Sequence, residues 1–154
     1  MKSYKMEFPG AVLERGFWIY IWRITDKTQT AYYYVGRTGD NSSAKASSPF
    51  ARIGQHLGKN QNSNAILKKL CELQIKPHEC KFECIFFGPI AEEAMNWDVH
   101  VKSRDSVAKI EKAVADYLKE KELEVIGSHP RDGCELETNM KQTIDKWIAE
   151  GAHP

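Results

Sequence analysis

The sequence contains no apolar run long enough to cross a membrane. A membrane-spanning helix needs about 18 or more consecutive apolar residues, and no stretch of these 154 residues approaches that length. The first ten residues include charged side chains and form no apolar segment of the kind that directs secretion. We therefore expect a soluble, intracellular protein with no membrane partner. The length fits one compact domain, residues 1–154, rather than two.

The sequence lacks any Cys-x-x-Cys pair, and its four cysteines form no regular framework. A chain that can bury its own core does not need disulfides, so we expect reduced thiols and a cytoplasmic location. His78, Cys80 and Cys84 lie close together with Cys71 before them, which leaves a zinc site as a minor alternative. Their spacing fits no compact zinc motif, and Cys84 lies in an apolar run where cysteine packs as a small hydrophobic residue.

The sequence also lacks an excess of charge of one sign. It has 22 Lys and Arg against 21 Asp and Glu, a formal net charge of +1, which argues against a uniformly basic surface for nucleic acid. The charges are nevertheless divided along the chain. Residues 1–70 contain 11 basic and 4 acidic residues, whereas residues 71–154 contain 11 and 17. This polarity could steer an anionic partner to one side of the molecule, unless folding intermixes the two halves.

Hydrophobic patterns predict three β-strands and four helices. Aromatic and β-branched runs predict strands at 17–24, 31–36 and 81–87. Apolar stripes with helical spacing predict helices at 49–57, 64–73, 105–121 and 138–150. Ser48 and Asp105 are the expected N-caps of the first and third helices, and Gly88-Pro89 is expected to end the third strand. This order indicates a small α+β domain around an antiparallel sheet, with a C-terminal helical extension in residues 129–154.

Glu111 lies within the apolar stripe of the helix predicted at 105–121. Helical spacing places it about 40° from Val107, between core positions rather than among the solvated charges. A carboxylate inside an apolar arc must be neutralised, hydrogen-bonded or bound to a cation, because burying it bare costs several kcal/mol. The alternative is a glutamate at the edge of the stripe that reaches water or pairs with a lysine.

Two further pairs of residues carry side chains that could take part in a reaction: two tyrosines, and an arginine with a histidine. Strand alternation places Tyr20 and Tyr34 on neighbouring strands so that both phenols can face one side of the sheet, although strand tyrosines are also common core residues. Arg52 and His56 lie one turn apart on the first predicted helix and so share a face, which could equally be a solvated surface.

Together these features resemble the GIY-YIG nuclease family. The matching segments are Trp18-Ile19-Tyr20, Tyr34-Val35-Gly36-Arg37-Thr38, Ser48 to Leu57, and Glu111 on a later helix. Order and spacing agree over about residues 16–128. The resemblance implies a three-stranded antiparallel sheet flanked by helices, and a metal-dependent endonuclease that hydrolyses phosphodiester bonds in DNA.

The resemblance also implies roles for individual residues. Tyr20 would deprotonate or orient the attacking water, with support from Tyr34. Arg52 would stabilise charge on the phosphate, and His56 would assist in proton handling or hold the nucleophile. Glu111 would be the main protein ligand of one Mg²⁺ or Mn²⁺ ion, and no small-molecule cofactor is expected.

The basic half of the chain supplies the predicted contacts to the DNA backbone. The residues assigned to this role are Arg37, Lys45, Lys59, Lys68 and Lys69. Positive side chains of this kind would hold DNA with an affinity that falls as the salt concentration rises.

Two positions depart from the family pattern. Trp18 stands where the first motif usually has glycine, and Gly127 or Ser128 stands where the family has a late asparagine. These departures leave open a nucleic-acid-binding module of the same fold with weak or absent catalysis. A protein-interaction domain that docks through its C-terminal helix is the third possibility.

Overall fold

A computed structural model describes residues 1–39, 41, 43–58 and 64–151. Over these residues the chain forms four strands and four helices, which confirms the α+β class. In chain order they are β1 (Phe17–Thr25), β2 (Ala31–Arg37), α1 (Pro49–Leu57), α2 (Ala65–Glu72), β3 (Lys81–Ala91), α3 (Trp97–Glu120), β4 (Glu124–Ile126) and α4 (Thr138–Glu150).

The sheet has four strands in the order β3-β1-β2-β4, so the prediction of a three-stranded antiparallel sheet is wrong in detail. Strands β3, β1 and β2 are antiparallel as expected, whereas β4 pairs parallel to β2. A three-residue strand is too short to show a hydrophobic period, which is why the sequence did not reveal it. The pairing of β4 with β2 ends at Tyr34, so the last residues of β2 have no neighbour on their outer side among the described strands.

Strand β1 lies at the centre of the domain. It pairs with β3 on one side and β2 on the other, and helices cover both faces of the sheet. Its odd-numbered residues, such as Ile19 and Ile21, pack with Val114 and Leu118 of α3. Its even-numbered residues, such as Tyr20, pack towards α1 and α2. Burial on both faces explains the almost continuous aromatic and aliphatic composition of this strand.

Helix α3 begins eight residues earlier than predicted, so Asp105 lies inside the helix and is not its N-cap. The cap is Asn96, whose side chain accepts hydrogen bonds from the amides of Asp98 at 2.8 Å and Val99 at 3.3 Å. The first turns are held by the fully buried His100, whose ring lies 5.1 Å from that of Phe17. Because His100 is polar, it interrupts the apolar stripe, and the sequence pattern therefore does not show where the helix begins.

Strand β3 continues through Gly88-Pro89 to Ala91, so the predicted stop is wrong. Its end pairs with Phe17 of β1 after a shift of register. Strand β3 is an edge strand, where the missing N–H of a proline breaks no hydrogen bond of the sheet.

Helix α4 packs against the domain core, within the cluster formed by β1, β2 and α3. Ile144 is fully buried, and the ring of Trp147 meets that of Tyr33 edge-on at 6.4 Å. Arg23 on β1 donates a hydrogen bond to the carbonyl of Trp147 at 3.2 Å, and its guanidinium lies 4.7 Å from the centre of the indole ring. These contacts join the C-terminal segment to the sheet.

Within the described part of the chain, none of the helices combines the length and the apolar character that crossing a bilayer requires.

Candidate active site

A small polar cleft of about 160 Å³ lies beside the end of β2, where its outer edge is no longer paired with β4. Strands β1 and β2, helix α1 and helix α3 each contribute to its wall. The lining residues are Tyr20, Tyr34, Gly36, Arg37, Gly39, Asn41, Arg52 and Glu111. Four of the five predicted catalytic residues therefore meet at one place, and the fifth, His56, contacts Tyr20 directly.

The sheet register places the two phenols on the same face, as predicted. Tyr20 pairs with Gly36, and Trp22 pairs with Tyr34, so Tyr20 and Tyr34 lie diagonally across the hairpin. The ring of His56 lies 5.5 Å from that of Tyr20 and 5.1 Å from that of Tyr34. The hydroxyl of Tyr20 and Nε2 of His56 are 2.6 Å apart, a hydrogen bond through which a proton can pass.

Gly36 is required by the position of Tyr20. A Cβ atom on residue 36 would lie 2.6 Å from the ring and the hydroxyl of Tyr20, closer than any non-bonded contact allows. The phenol therefore lies directly against the backbone of β2, with its hydroxyl at Nε2 of His56. This contact is a physical reason for glycine in the Tyr34-Val35-Gly36 segment.

The carbonyl oxygen of Arg37 organises the cationic side of the cleft. It accepts a hydrogen bond from Nη2 of Arg52 at 3.3 Å, and the hydroxyl oxygen of Tyr20 also lies 3.3 Å away. Nη1 of Arg52 donates to Oε1 of Gln55 at 2.6 Å, one turn along α1. Among the described residues, the buried Nε of Arg52 has no hydrogen-bond partner. It is a donor available to an anion in the cleft.

Glu111 lies inside the apolar arc of α3, as its sequence position predicts, and its side chain is only 8% exposed. Its Oε2 accepts a hydrogen bond from Nη1 of Arg37 and forms an ion pair with that residue. Burial raises the pKa of Glu111, and the charge of Arg37 opposes this shift. Arg37 was predicted only as a DNA contact, and its pairing with Glu111 is a tertiary contact that no local pattern predicts.

The two phenols remain protonated at neutral pH. Burial raises the pKa of Tyr34 to about 12, with a further contribution from the charge of Glu111. Burial also raises the pKa of Tyr20, although Arg52 acts in the opposite direction. A neutral Tyr20 can therefore take a proton from water only while it passes its own proton to a neighbour.

His56 is the neighbour that can accept this proton, and it rests in the neutral form. Burial, together with the positive charge of Arg52, lowers the pKa of His56 to about 4. A neutral imidazole has one nitrogen free to accept a proton.

The same pKa shift predicts a loss of stability in acid. The folded protein binds a proton at His56 more weakly than the unfolded chain does. The neutral imidazole therefore contributes to the free energy of unfolding in full above pH 6.5, and this contribution is lost as the pH falls towards 4. Between pH 7.5 and 4.5 we expect it to lower the free energy of unfolding by about 2–3 kcal/mol. Urea unfolding at both pH values should show that the free energy of unfolding falls less between them in His56→Gln than in the wild type. Equal losses in the two proteins would contradict the prediction.

The predicted DNA-contacting lysines lie away from the cleft wall where the structure describes them. Lys45 and Lys68 are exposed, and Lys69 pairs with Glu72 on the same helix at 2.5 Å. Lys59 falls outside the described residues. The role of these lysines as contacts along a longer DNA backbone stays a prediction.

The donor set of the cleft suits one hard divalent cation. Mg²⁺ prefers oxygen ligands, commonly keeps several waters and takes only one or two carboxylates together with substrate phosphate. Glu111 provides one carboxylate at the cleft wall, and in the described part of the chain its Oε1 accepts no hydrogen bond. No group of three or more His, Cys, Asp or Glu side chains converges among the described residues, and the four cysteines are free thiols.

Three residues of the site were not identified from the sequence. Gln55 orients Arg52, and Gly39 and Asn41 line the cleft. The sequence signal for Gln55 is its position between Arg52 and His56 on one helix. The other two lie in a polar loop, where spacing carries little information.

Local contacts account for Trp18 and for Gly127, one of the two positions where the late asparagine would stand. A Cβ atom on Gly88 would lie 2.8 Å from the indole of Trp18, so a glycine on β3 makes room for this large residue. Gly127 has φ +100°, and a Cβ atom there would lie 3.0 Å from the ring of Tyr34. An asparagine at position 127 would be strained and would crowd Tyr34.

The sequence matches no family model and no curated protein, and the fold matches no solved structure.

Proposed function

We propose that this protein is a metal-dependent DNA endonuclease of the GIY-YIG type. The observation that carries the proposal is the convergence of Tyr20, Tyr34, Arg52 and Glu111 in one cleft, with His56 hydrogen-bonded to Tyr20. These side chains come from four separate elements, so their meeting is a property of the fold and not of local spacing. Their chemistry suits hydrolysis of a phosphodiester.

Tyr20 and His56 handle the proton of the attacking water. The phenol takes a proton from water while it passes its own proton to Nε2 of His56, 2.6 Å away. Before substrate binds, the resulting imidazolium would be disfavoured beside Arg52. An anionic phosphate bound at Arg52 offsets that repulsion and so favours the transfer when substrate is bound.

Arg52 stabilises the negative charge that develops on the phosphate. Its unpartnered Nε and its fork of N–H donors lie at the cleft wall, held by the carbonyl of Arg37 and by Gln55. A donor that is already oriented needs no reorganisation as charge develops, which is the main source of its catalytic effect.

Glu111 would hold the divalent ion, Mg²⁺ or Mn²⁺. The bound ion would supply Lewis-acid stabilisation of charge on the phosphate oxygens. The position of Glu111 on a long, packed helix fixes its carboxylate relative to Tyr20 and Arg52.

The proposed partner is DNA, and the proposed location is the cytoplasm. The basic excess of residues 1–70, which include Tyr20, Tyr34 and Arg52, supports an anionic polymer as the partner, although the sheet combines strands from both halves of the chain.

A plasmid-nicking assay tests the proposal. Supercoiled plasmid with Mg²⁺ or Mn²⁺ should be converted to nicked and linear forms, and chelation of the metal should stop the reaction. Arg52→Ala should lower the turnover number by about 10²–10³, because it removes an oriented donor to the reacting phosphate. Arg104→Ala is the matched control, since Arg104 lies on α3 and pairs with its neighbour Asp105 at 2.8 Å. No cleavage of any DNA form by the wild type would refute the proposal.

A second candidate is a nucleic-acid-binding module of the same fold that does not cleave. It is favoured by the missing late asparagine of the family: Gly127 or Ser128 stands at that position, and an asparagine at 127 would be strained and would crowd Tyr34. Electrophoretic mobility shifts with duplex DNA, without any nicking in Mg²⁺ or Mn²⁺, would select this candidate.

A further inference from the structure

Glu111 is both the proposed metal ligand and the partner of an arginine in the same cleft. Its Oε2 is bound by Nη1 of Arg37, and the two side chains are 8% and 21% exposed respectively. A cation this close neutralises the carboxylate and repels a second cation. In the protein without DNA, Arg37 therefore competes with a divalent ion for Glu111.

The two partners differ in their freedom to move. Glu111 lies on a 24-residue helix, beside the buried Val107 and Val114, so its carboxylate stays in place. The backbone of Arg37 is held by pairing with Ile19, but its long side chain extends into the cleft. If the pair opens, the guanidinium of Arg37 is the group that moves.

In its contact with Glu111, Arg37 also leaves one of its hydrogen-bond donors without a partner among the described residues. In the described part of the chain, its buried Nε has no hydrogen-bond partner, which is costly for a buried donor. A phosphate group can accept hydrogen bonds from two N–H groups of one guanidinium, and its charge can replace that of Glu111. A backbone phosphate entering the cleft thus gives Arg37 a better partner than it has at rest.

We propose that Arg37 is an exchangeable counter-ion that couples metal binding to DNA binding. In the free protein it occupies Glu111 and weakens the affinity for the divalent ion. When a DNA phosphate enters, the guanidinium transfers to the phosphate and leaves the carboxylate to the metal. The two ligands then strengthen each other's binding by the same factor. This inference rests on the proposed function because it takes Glu111 as the metal ligand.

Calorimetric titration of the DNA-free protein with Mn²⁺ tests the coupling. Arg37→Gln should bind Mn²⁺ about tenfold or more tightly than the wild type, because a cation beside the ligand has been removed. Arg15→Gln is the matched control: Arg15 forms a two-pronged contact with Glu93 at 2.5 and 2.7 Å, so its loss changes the net charge equally but should leave the Mn²⁺ affinity unchanged. Circular dichroism should show that each variant is folded. Unchanged or weaker Mn²⁺ binding by folded Arg37→Gln would overturn the proposal.

A second titration keeps the proposal testable if Arg37→Gln does not fold. Mn²⁺ is titrated into Tyr20→Phe protein, which should not turn over, with and without a short DNA duplex. Duplex should tighten Mn²⁺ binding, and adding Arg37→Lys, whose ammonium cannot form a two-pronged contact, should reduce that tightening. If duplex tightened Mn²⁺ binding equally with and without the Arg37→Lys substitution, the coupling would be refuted.

The failure of this inference can be separated from that of the proposed function. Glu111→Gln should lose Mn²⁺ binding. If it binds as the wild type does, Glu111 is not the metal ligand and both proposals fail. If it loses Mn²⁺ binding while Arg37→Gln shows no gain, only the role of Arg37 is refuted.

Discussion

Glu111→Gln is expected to lower DNA cleavage by about a thousandfold or more while leaving the protein folded. The substitution keeps the shape of the side chain but removes the charge that would hold the divalent ion. Lewis-acid stabilisation of a phosphoryl transition state contributes several kcal/mol, and each 1.36 kcal/mol corresponds to a factor of about ten in rate. The rate of plasmid nicking under saturating Mg²⁺ measures the effect.

Stability should respond far less than activity. Burial raises the pKa of Glu111, so its charged form is disfavoured where it lies. A neutral glutamine avoids that penalty, although it leaves Arg37 without its counter-ion. We therefore expect the free energy of unfolding to change by only about 1 kcal/mol, as measured by urea denaturation.

Glu120→Gln is the control for this experiment, because Glu120 lies exposed at the end of the same helix. Its nicking rate should equal that of the wild type. Undiminished cleavage by Glu111→Gln would remove Glu111 from the site. A large loss of stability in this variant would instead assign the carboxylate a structural role.

Glu83→Ala is expected to lower the free energy of unfolding by about 3–5 kcal/mol. Arg23 is 4% exposed, and its whole guanidinium is engaged: Nε and Nη2 donate to the Glu83 carboxylate at 2.9 and 2.8 Å, and Nη1 donates to the carbonyl of Trp147. Removing the carboxylate leaves the buried guanidinium of Arg23 without a negative charge to balance it. Equilibrium unfolding in urea, followed by tryptophan fluorescence, measures the loss.

Two comparisons isolate the buried pair as the cause. Glu72→Ala removes the partner of Lys69 at an exposed pair and should cost less than about 1 kcal/mol. The double variant Arg23→Met with Glu83→Met should recover most of the stability lost by Glu83→Ala, since no charge is then left buried. If Glu83→Ala were no more harmful than Glu72→Ala, the pair would not be needed to hold α4 against the sheet.

The hairpin and its two phenols could be predicted from the sequence because both depend on local rules. The alternation of side chains along a strand fixes which residues share a face, and a short turn fixes the antiparallel pairing of Tyr20 with Gly36. The burial of Glu111 follows in the same way from helical periodicity. These features need no knowledge of distant parts of the chain.

The features that could not be predicted depend on contacts between distant segments. Strand β4 is a strand only because Val125 pairs with Tyr33, far away in sequence. The start of α3 is stabilised by His100 against Phe17, a contact between a polar residue and an aromatic ring that a hydrophobic pattern does not record. The ion pair of Arg37 with Glu111 joins a strand end to a helix, and neither residue shows this in its own neighbourhood.

The length of β4 sets the size of the entrance to the cleft. Its last pairing partner is Tyr34, two residues before Gly36, and the cleft begins where this pairing stops. Three more residues of parallel strand would run alongside Val35, Gly36 and Arg37 and form a wall where a phosphate backbone would approach. Gly127, with its positive φ, turns the chain away at this point. The glycine that lies against the ring of Tyr34 therefore also keeps the entrance open.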